Sequence, residues 1–567
     1  MQNGVPTTPT INRGVTAHLK AVDEWVEKQL ECGKMCDITD VAARLDALFV
    51  SPFQTDEKAD GSIRTCHNAA AGGDQSLNQS IDNTASEPVD LATIHLIITR
   101  LRELEAMGTT EVVAARVDLK AWFRQIGIRP SERWRMGQKL GSRTFAHNVF
   151  TFGVRSAGHT ACGVSNAILD VLCRDGTHWA AVYNDDFIFI GTRAQVEAAV
   201  AALRAILAQL GVTENTDKFI PPSEVMDVLG HEVDIRNMLV QITAARRDRV
   251  IAVVSELLHR HPRVASVREL REIAGVLAFV GTTVPLARAY TAGLWSLTGD
   301  STQPGCTQRS LGSYAVTGLQ WWLEFLRRER FQVGRIDAGI KGAPVVVTTG
   351  CRSDASGSWG FGGLSTSHGV YVQGPWGDDE RAWSIAVKEG VAAFLLMAVL
   401  APQLTIQVVV LQTDNLSVAY MLLTLTATDP QLRLLSLWFA ALQEKFRFII
   451  LPSHVATKHN DSDALSRGHD PCLCLPSSIT GTWRGVPIPS SLRSLGSLGA
   501  ARLREVLSPA LRSQGRPSTT TIDLSMPGDW DCSALERLAQ VPMPFVPQVA
   551  WELRLRELAH EPVSSPL

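Results

Sequence analysis

The chain lacks three things that would narrow its class at once. It has no apolar run as long as the roughly 18–20 residues that a membrane-spanning helix needs. The longest candidate, Val391 to Ala401, is short enough to predict a buried helix and no membrane partner. It has no dominant sign of charge, with 54 Lys and Arg against 57 Asp and Glu and a net charge of −3 at pH 7. That excludes a chain-wide positive footprint for nucleic acid and leaves local patches to supply one. Paired cysteine is scarce as well. Ten Cys are scattered over 567 residues, and the close pairs Cys32/Cys36 and Cys472/Cys474 have no second pair to complete a zinc site. Scattered thiols fit a reducing compartment. No internal repeat is visible, and the opening Met1-Gln2-Asn3-Gly4-Val5-Pro6 shows no charged-then-apolar targeting pattern.

What is present is length and a changing periodicity. A chain of 567 residues is too long for one core, and such lengths predict roughly two to four domains. A helix is predicted over 16–31, followed by a polar stretch rich in Gly, Asn and Ser over 56–86. Strand-like alternation begins near Val112, and an Ala/Leu-rich helix follows over 194–210. The pattern is helical over 244–297, with Pro262 separating two helices, and again over 319–330. From Ala343 strand and helix interleave, with strands over 345–349, 406–412 and 446–451 and helices over 384–400 and after Asp429-Pro430. That alternation predicts an α/β layer. After Gly468 the chain turns to Pro, Ser, Leu and Arg, with short helices near 498–507 and 550–558. Between Arg246 and Glu272 seven arginines accompany four acids, an excess of three positive charges. On charge alone this is equally a nucleic-acid patch or a solvated helical face.

The chemistry concentrates in Tyr183-Asn184-Asp185-Asp186, set between Trp179-Ala180-Ala181-Val182 and Phe187-Ile188-Phe189-Ile190-Gly191. Adjacent carboxylates at a tight turn repel one another, so something positive must offset them, and a divalent metal is the usual candidate. A third carboxylate, Asp118, lies upstream in Val117-Asp118-Leu119-Lys120-Ala121-Trp122-Phe123. Together these segments resemble the palm of a reverse transcriptase. Further segments match that family in order. Ser62-Ile63-Arg64-Thr65-Cys66-His67-Asn68, with Gly72-Gly73 and Ser76-Leu77-Asn78, resembles the fingers. Phe150-Thr151-Phe152-Gly153-Val154-Arg155-Ser156-Ala157 resembles the segment beneath the incoming nucleotide. Lys218 sits where the family's palm carries a lysine, 228–233 resembles the primer grip, and 268–285 resembles the thumb. The resemblance implies that Asp118, Asp185 and Asp186 hold two Mg²⁺ ions, with Mn²⁺ as a substitute, for in-line attack on a dNTP. It implies a nucleotide site built from Arg64, Phe123, Phe152, Gly153, Tyr183 and Lys218. Arg64 would grip phosphate, Phe123 would act as the steric gate against a ribose 2′-hydroxyl, and Lys218 would protonate the leaving pyrophosphate. Gly153 would let backbone and nucleotide approach closely. Two positions depart from the family: Thr151-Phe152 before the glycine, and Trp122 before the gate.

A second acidic series follows. Asp354 lies in Ser353-Asp354-Ala355-Ser356-Gly357, Glu389 on the helix predicted over 384–400, and Asp414 at a strand end in Gln412-Thr413-Asp414-Asn415. Asp463 lies in Asn460-Asp461-Ser462-Asp463-Ala464-Leu465-Ser466-Arg467. The series resembles a retroelement ribonuclease H, which implies two further metal ions and cleavage of the RNA strand of an RNA–DNA hybrid. Asp463 is preferred to Asp461 because Ala464-Leu465-Ser466-Arg467 follows it, and His454 is a weaker correspondence.

The fold class expected is therefore α/β and α+β multidomain: a right-hand polymerase of fingers, palm and thumb, followed by an α/β ribonuclease H-like domain. The expected divisions are an N-terminal helical extension over 1–57, fingers and palm over 58–240, and thumb over 241–299. A connection over 300–342, the nuclease over 343–468 and a tail over 469–567 complete them. Partners would be an RNA template, a DNA primer, their hybrid and dNTPs, in cytoplasm or nucleus. Asp-Leu-Lys-Ala-Trp-Phe-Arg-Gln-Ile at 118–126 most resembles DIRS-type elements, whose recombinase and gag-like protein would be encoded separately. LTR-type and pararetroviral polymerases are the nearer alternatives. A co-opted, non-catalytic nucleic-acid-binding protein, or a nuclease beside a degenerate polymerase, is the functional rival.

Overall fold

The computed structural model describes residues 13–42, 49–57, 61–82, 89–284, 286–299, 308–327, 334–335, 346–404, 407–446, 448–476 and 483–488. The helices expected near 498–507 and 550–558, and much of the segment 300–342, lie outside them. The chain divides into two compact units, Met1–Leu229 and Gly230–Leu567.

The first unit contains two sheets. One orders its strands Met35–Asp37, Arg143–His147, Gly137–Leu140, Val50–Glu57, Ile63–His67. The helix Leu19–Glu31 lays Val22 and Val26 into a core with Phe53 and Phe145. The 16–31 periodicity is thus divided in two, Arg13–Ala17 and Leu19–Glu31. The other sheet is antiparallel, ordered Ala180–Tyr183, Asp186–Thr192, Val112–Asp118, Ile220–Ser223. Its two central strands are apolar at nearly every position, as strands covered on both faces must be. Helices Arg155–Cys173 and Arg193–Leu210 contribute Ala161, Ile168, Leu203 and Leu207 to that cover. A capping box of Thr192 and Gln195 starts the second helix at the strand's last residue, and Gly211, at φ +67°, ends it.

A polar cluster lies inside the first sheet's packing. Arg124 is 5% exposed and has no carboxylate partner among the described residues; it donates to His147 Nδ1 at 2.9 Å and to Gln29 Oε1 at 2.8 Å. His147 in turn donates through Nε2 to Gln138 Oε1 at 2.6 Å, and His67 stacks on it at 5.6 Å. Burial, with the Arg124 charge adding to it, pushes His67 from the ordinary 6.5 down to about 3 and His147 well below its usual range. A base whose folded pKa is depressed confers stability above its unfolded pKa and loses it as pH falls below 6.5. Acidification to pH 5 is expected to remove about 2 kcal/mol through His67 alone. Thermal melts at pH 7 and pH 5 check this: His67→Gln should blunt the acid loss, and equal slopes would refute it.

The second unit opens with the hairpin His231–Asp234 and Leu239–Ile242. Helices Ala244–His259, Val267–Val280, Ala287–Thr298 and Ser313–Arg327 follow. Six strands then form one sheet, ordered Ile449–His454, Gln407–Thr413, Val346–Ala355, Gly360–Ser365, Val370–Pro375, Arg484–Gly485. Val346–Ala355 runs antiparallel to Gly360–Ser365 and parallel to Gln407–Thr413. Helices Ile385–Leu400 and Pro430–Phe446 pack beside this sheet, and their apolar residues join those of the four preceding helices in one continuous core. Tyr290 and Trp321 stack at 4.0 Å, and both donate to Glu444 Oε2, at 3.2 and 2.7 Å.

One expectation needs correcting, and one open alternative can be described further. The apolar segment is longer than Val391 to Ala401: the helical stretch Ile385–Gln403 has 19 residues, with a mean hydropathy of 1.8 over its most apolar 18-residue window, long and apolar enough to cross a membrane. Its most apolar window is 78% buried inside the protein, the environment of a core helix. The arginines between Arg246 and Glu272 are exposed or half-exposed, as a solvated helical face would have them, and six of the seven have partners within the same unit. Arg246, Arg263 and Arg271 donate to the carbonyls of Gly230, Leu258 and Thr298. Arg247, Arg260 and Arg268 pair with Asp248, Glu256 and Glu272.

Candidate active sites

The first site is built by strand register. Asp118 ends its strand directly opposite Asp186, which begins the neighbouring one. Asn184 and Asp185 form the two-residue hairpin turn between Tyr183 and Asp186. Asn184 takes φ +58°, a left-handed conformation that Asn tolerates better than most residues. Ser165 donates to the Asn184 carbonyl, and Leu119 N–H donates to the Asp185 carbonyl at 3.0 Å, so the turn is held from two sides. Asp185 lines a cleft of about 230 Å³ together with Asp118, Arg64, Phe123, Phe152 and Lys218. Asp186 stands beside it, and Tyr183 is 45% exposed.

The cations near these acids are specific. Lys218 Nζ meets Asp118 Oδ2 at 3.0 Å, and Asn215 donates to Asp118 Oδ1 at 2.9 Å. Arg116 Nε lies 3.6 Å from Asp186 Oδ1. Burial still holds the Asp185 carboxyl above the ordinary range, with the Asp118 charge adding to it. Burial raises Asp186 too, against the opposing Arg116 charge. Two raised carboxyls around a cleft fit a site that needs more positive charge than the protein supplies.

The rings and the glycine have local reasons. Phe123 and Phe152 meet edge to face at 5.0 Å, and the Arg64 guanidinium lies over Phe152 at 5.6 Å. Trp122 points into the core and donates to the Ala161 carbonyl at 3.2 Å, which accounts for a large residue before Phe123. Gly153 has a local reason of its own. Its φ is +100°, and a Cβ there would collide with the His67 carbonyl oxygen. The missing side chain makes room for backbone, and Asn78 fixes the same loop by bonding Gly153 O at 2.9 Å and Arg155 N at 2.8 Å.

The second site gathers acids from a strand, a helix and a strand end. Ligand oxygens of Asp354, Glu389 and Asp414 lie within 4.8 Å of one another. Burial drives Glu389 up to about 9, with Asp354 and Asp414 adding to it, and drives Asp354 up to about 6. Glu389 Oε2 and Asp414 Oδ1 are buried without a hydrogen-bond partner among the described residues. Orphaned carboxylate oxygens in a three-acid cluster fit a divalent cation, which would satisfy both. Asp463 stands outside that tight group, although its charge acts on both Asp354 and Glu389. Arg467 binds both of its oxygens, at 2.9 and 2.8 Å. Asp461 is paired with Arg352. His454 ends its strand opposite Thr413.

Several residues of these sites escaped the sequence reading. Asn215 and Arg116 hold Asp118 and Asp186, and Asn460 donates to the Ser353 carbonyl at 3.0 Å and to Asp354 Oδ1 at 3.4 Å. Thr457 donates to Asp414 Oδ2 at 2.7 Å. Arg116 did leave a signal, a lone cation inside an otherwise apolar strand.

No family model matches the chain, and no curated protein matches it. Among solved structures, it is similar to a foamy viral protease–reverse transcriptase (dRH) in complex with double-stranded DNA. The TM-score is 0.45 at 16% identity, over 80% of this chain and 73% of that one. The foamy viral protease–reverse transcriptase in complex with RNA/DNA hybrid gives 0.44 at 15% identity, over 80% and 55%.

Proposed function

We propose that the chain is an RNA-directed DNA polymerase with ribonuclease H activity, belonging to a retroelement of the DIRS-like kind. The observation that carries the polymerase reading is the register of Asp118 against Asp186, with Asp185 at the turn between strands, beside a cleft that also holds Arg64, Lys218 and Phe123. Three carboxylates on adjoining strand ends can share two divalent ions, and a guanidinium and an ammonium facing them suit a triphosphate. Asp118, Asp185 and Asp186 would hold the ions, which supply Lewis acidity to the attacking and leaving oxygens. Lys218 neutralises Asp118 while no ion is bound and would turn to phosphate when one is. Phe123, braced by Phe152, would press on the sugar and exclude a 2′-hydroxyl. In the second site Asp354, Glu389 and Asp414 would hold ions that activate water against the RNA strand, with Asn460 and Thr457 orienting two of the acids.

The test is one gel. The full chain is incubated with Mg²⁺, dNTPs and a DNA primer on an RNA template, with both strands labelled. Primer extension with template cleavage is expected. Cleavage without extension would leave a nuclease with a degenerate polymerase, and neither would leave a binding protein.

A further inference from the structure

Asp463 is the one acid of the second site whose two oxygens are both taken by a single cation. Arg467, four residues on across the short helix Asp463–Ser466, donates through Nε to Oδ2 at 2.9 Å and through a terminal nitrogen to Oδ1 at 2.8 Å. The other three acids behave differently. They converge within 4.8 Å, and two of them present buried oxygens with no partner among the described residues. The site is therefore unevenly prepared: one position short of positive charge, and a neighbouring acid already neutralised. The Arg467 charge also reaches beyond its partner, because it acts against the upward shift of Asp354.

We propose that Arg467 is a positioning residue that competes with a divalent cation for Asp463, so that the nuclease fills its second metal position only when this arginine lets go. The inference rests on the ribonuclease H reading above. The competition is physically reasonable because the pair is partly exposed, with side chains 57% and 32% accessible. Exposed pairs contribute little, which makes the arginine displaceable, whereas a guanidinium held in two-point contact blocks the carboxylate geometrically. Lysine in its place would present one charge without the fork.

The test titrates Mn²⁺ into the full-length chain and follows free ion by its electron paramagnetic resonance signal. Parent, Arg467→Gln, Arg467→Lys and Asp463→Asn proteins are compared. Arg467→Gln is expected to tighten the weaker nuclease site about 2- to 5-fold, the range that an exposed pair's strength allows, with the tighter site unchanged. Arg467→Lys should fall between parent and Gln, which also covers the case in which Gln folds poorly. Asp463→Asn should abolish the weaker site in either background. Weaker binding in Arg467→Gln would mean that the arginine presents Asp463 to the metal, and it would overturn the proposal. Unchanged binding with a lower melting temperature would mean a purely structural pair, and would overturn it as well. A parent chain with no Asp463-dependent Mn²⁺ site would instead sink the nuclease reading itself.

Discussion

Asp185→Asn should abolish dNTP incorporation while leaving RNA cleavage at its parental rate. Asp185 is the acid of its hairpin that lines the cleft, and the turn that carries it is tied down through backbone and Ser165 rather than through its own carboxylate. Asn keeps the side chain's shape and its acceptor toward the Asn184 amide, which lies 3.2 Å from Asp185 Oδ1. What is lost is a charge that would bind metal. Changes one shell farther out typically reduce activity 10- to 100-fold, so removal of the ligand itself should exceed about 100-fold. Single-nucleotide extension and hybrid cleavage, measured on one preparation with circular dichroism as the folding control, decide it. Extension within a few-fold of the parent would refute the metal-site assignment.

The second large effect combines lost function with gained stability. Glu389→Gln should eliminate hybrid cleavage and yet make the metal-free protein more stable at neutral pH. Burial holds the Glu389 carboxyl at about 9 against an ordinary 4.5. A carboxyl raised on folding takes up a proton as the chain folds, so its stability is fully present below pH 4.5 and is lost as pH rises toward 9. At pH 7 the loss is on the order of 3 kcal/mol, and Gln, with no charge to bury, does not suffer it. The advantage of Glu389→Gln in thermal melts should therefore grow from pH 5 to pH 8. It should shrink when Mg²⁺ is added, because the parent has one more acid at the site that the ion can stabilise. A variant less stable than the parent at pH 8 without metal would show that the carboxyl is not starved of positive charge.

Much of this was legible in the sequence because strand acids announce themselves. Asp118, Asp185 and Asp186 stand at the ends of apolar runs, where period and punctuation agree, and the register that joins Asp118 to Asp186 follows once those strands pair. Asp354, Glu389 and Asp414 were readable for the same reason, each at a fixed place on a strand or helix. The supporting groups were not. Asn215 comes from a loop, whose path depends on contacts far away in sequence: Gln125 alone bridges Lys120 O and Thr213 O, at 2.6 and 3.0 Å. The packing reason for Gly153 is not legible either, because a glycine's neighbour cannot be inferred from its flanks, and here it is the His67 backbone. The arginines from Arg246 onward do lie at the surface, but sequence shows charge without showing which carbonyls and acids will meet it. Order along the chain places Asp463 with the other three acids but does not reveal its two-point contact with Arg467.

The Glu444 carboxylate, which accepts from Tyr290 on one helix and Trp321 on another, bears on how such a chain can be rearranged. The helices from Ala244 to Arg327 and the six-stranded layer do not have separate interiors; Trp322, Phe439 and Phe361 belong to the same core. A crossover falling between them would bring together halves that had never packed, leaving Trp321 without its acceptor and a wide apolar face open to water. The six-stranded layer is therefore poor currency for exchange in this architecture. A viable graft has to carry the preceding helices along, and a fragment produced by cutting at residue 343 should be insoluble where the fragment beginning at residue 230 is not.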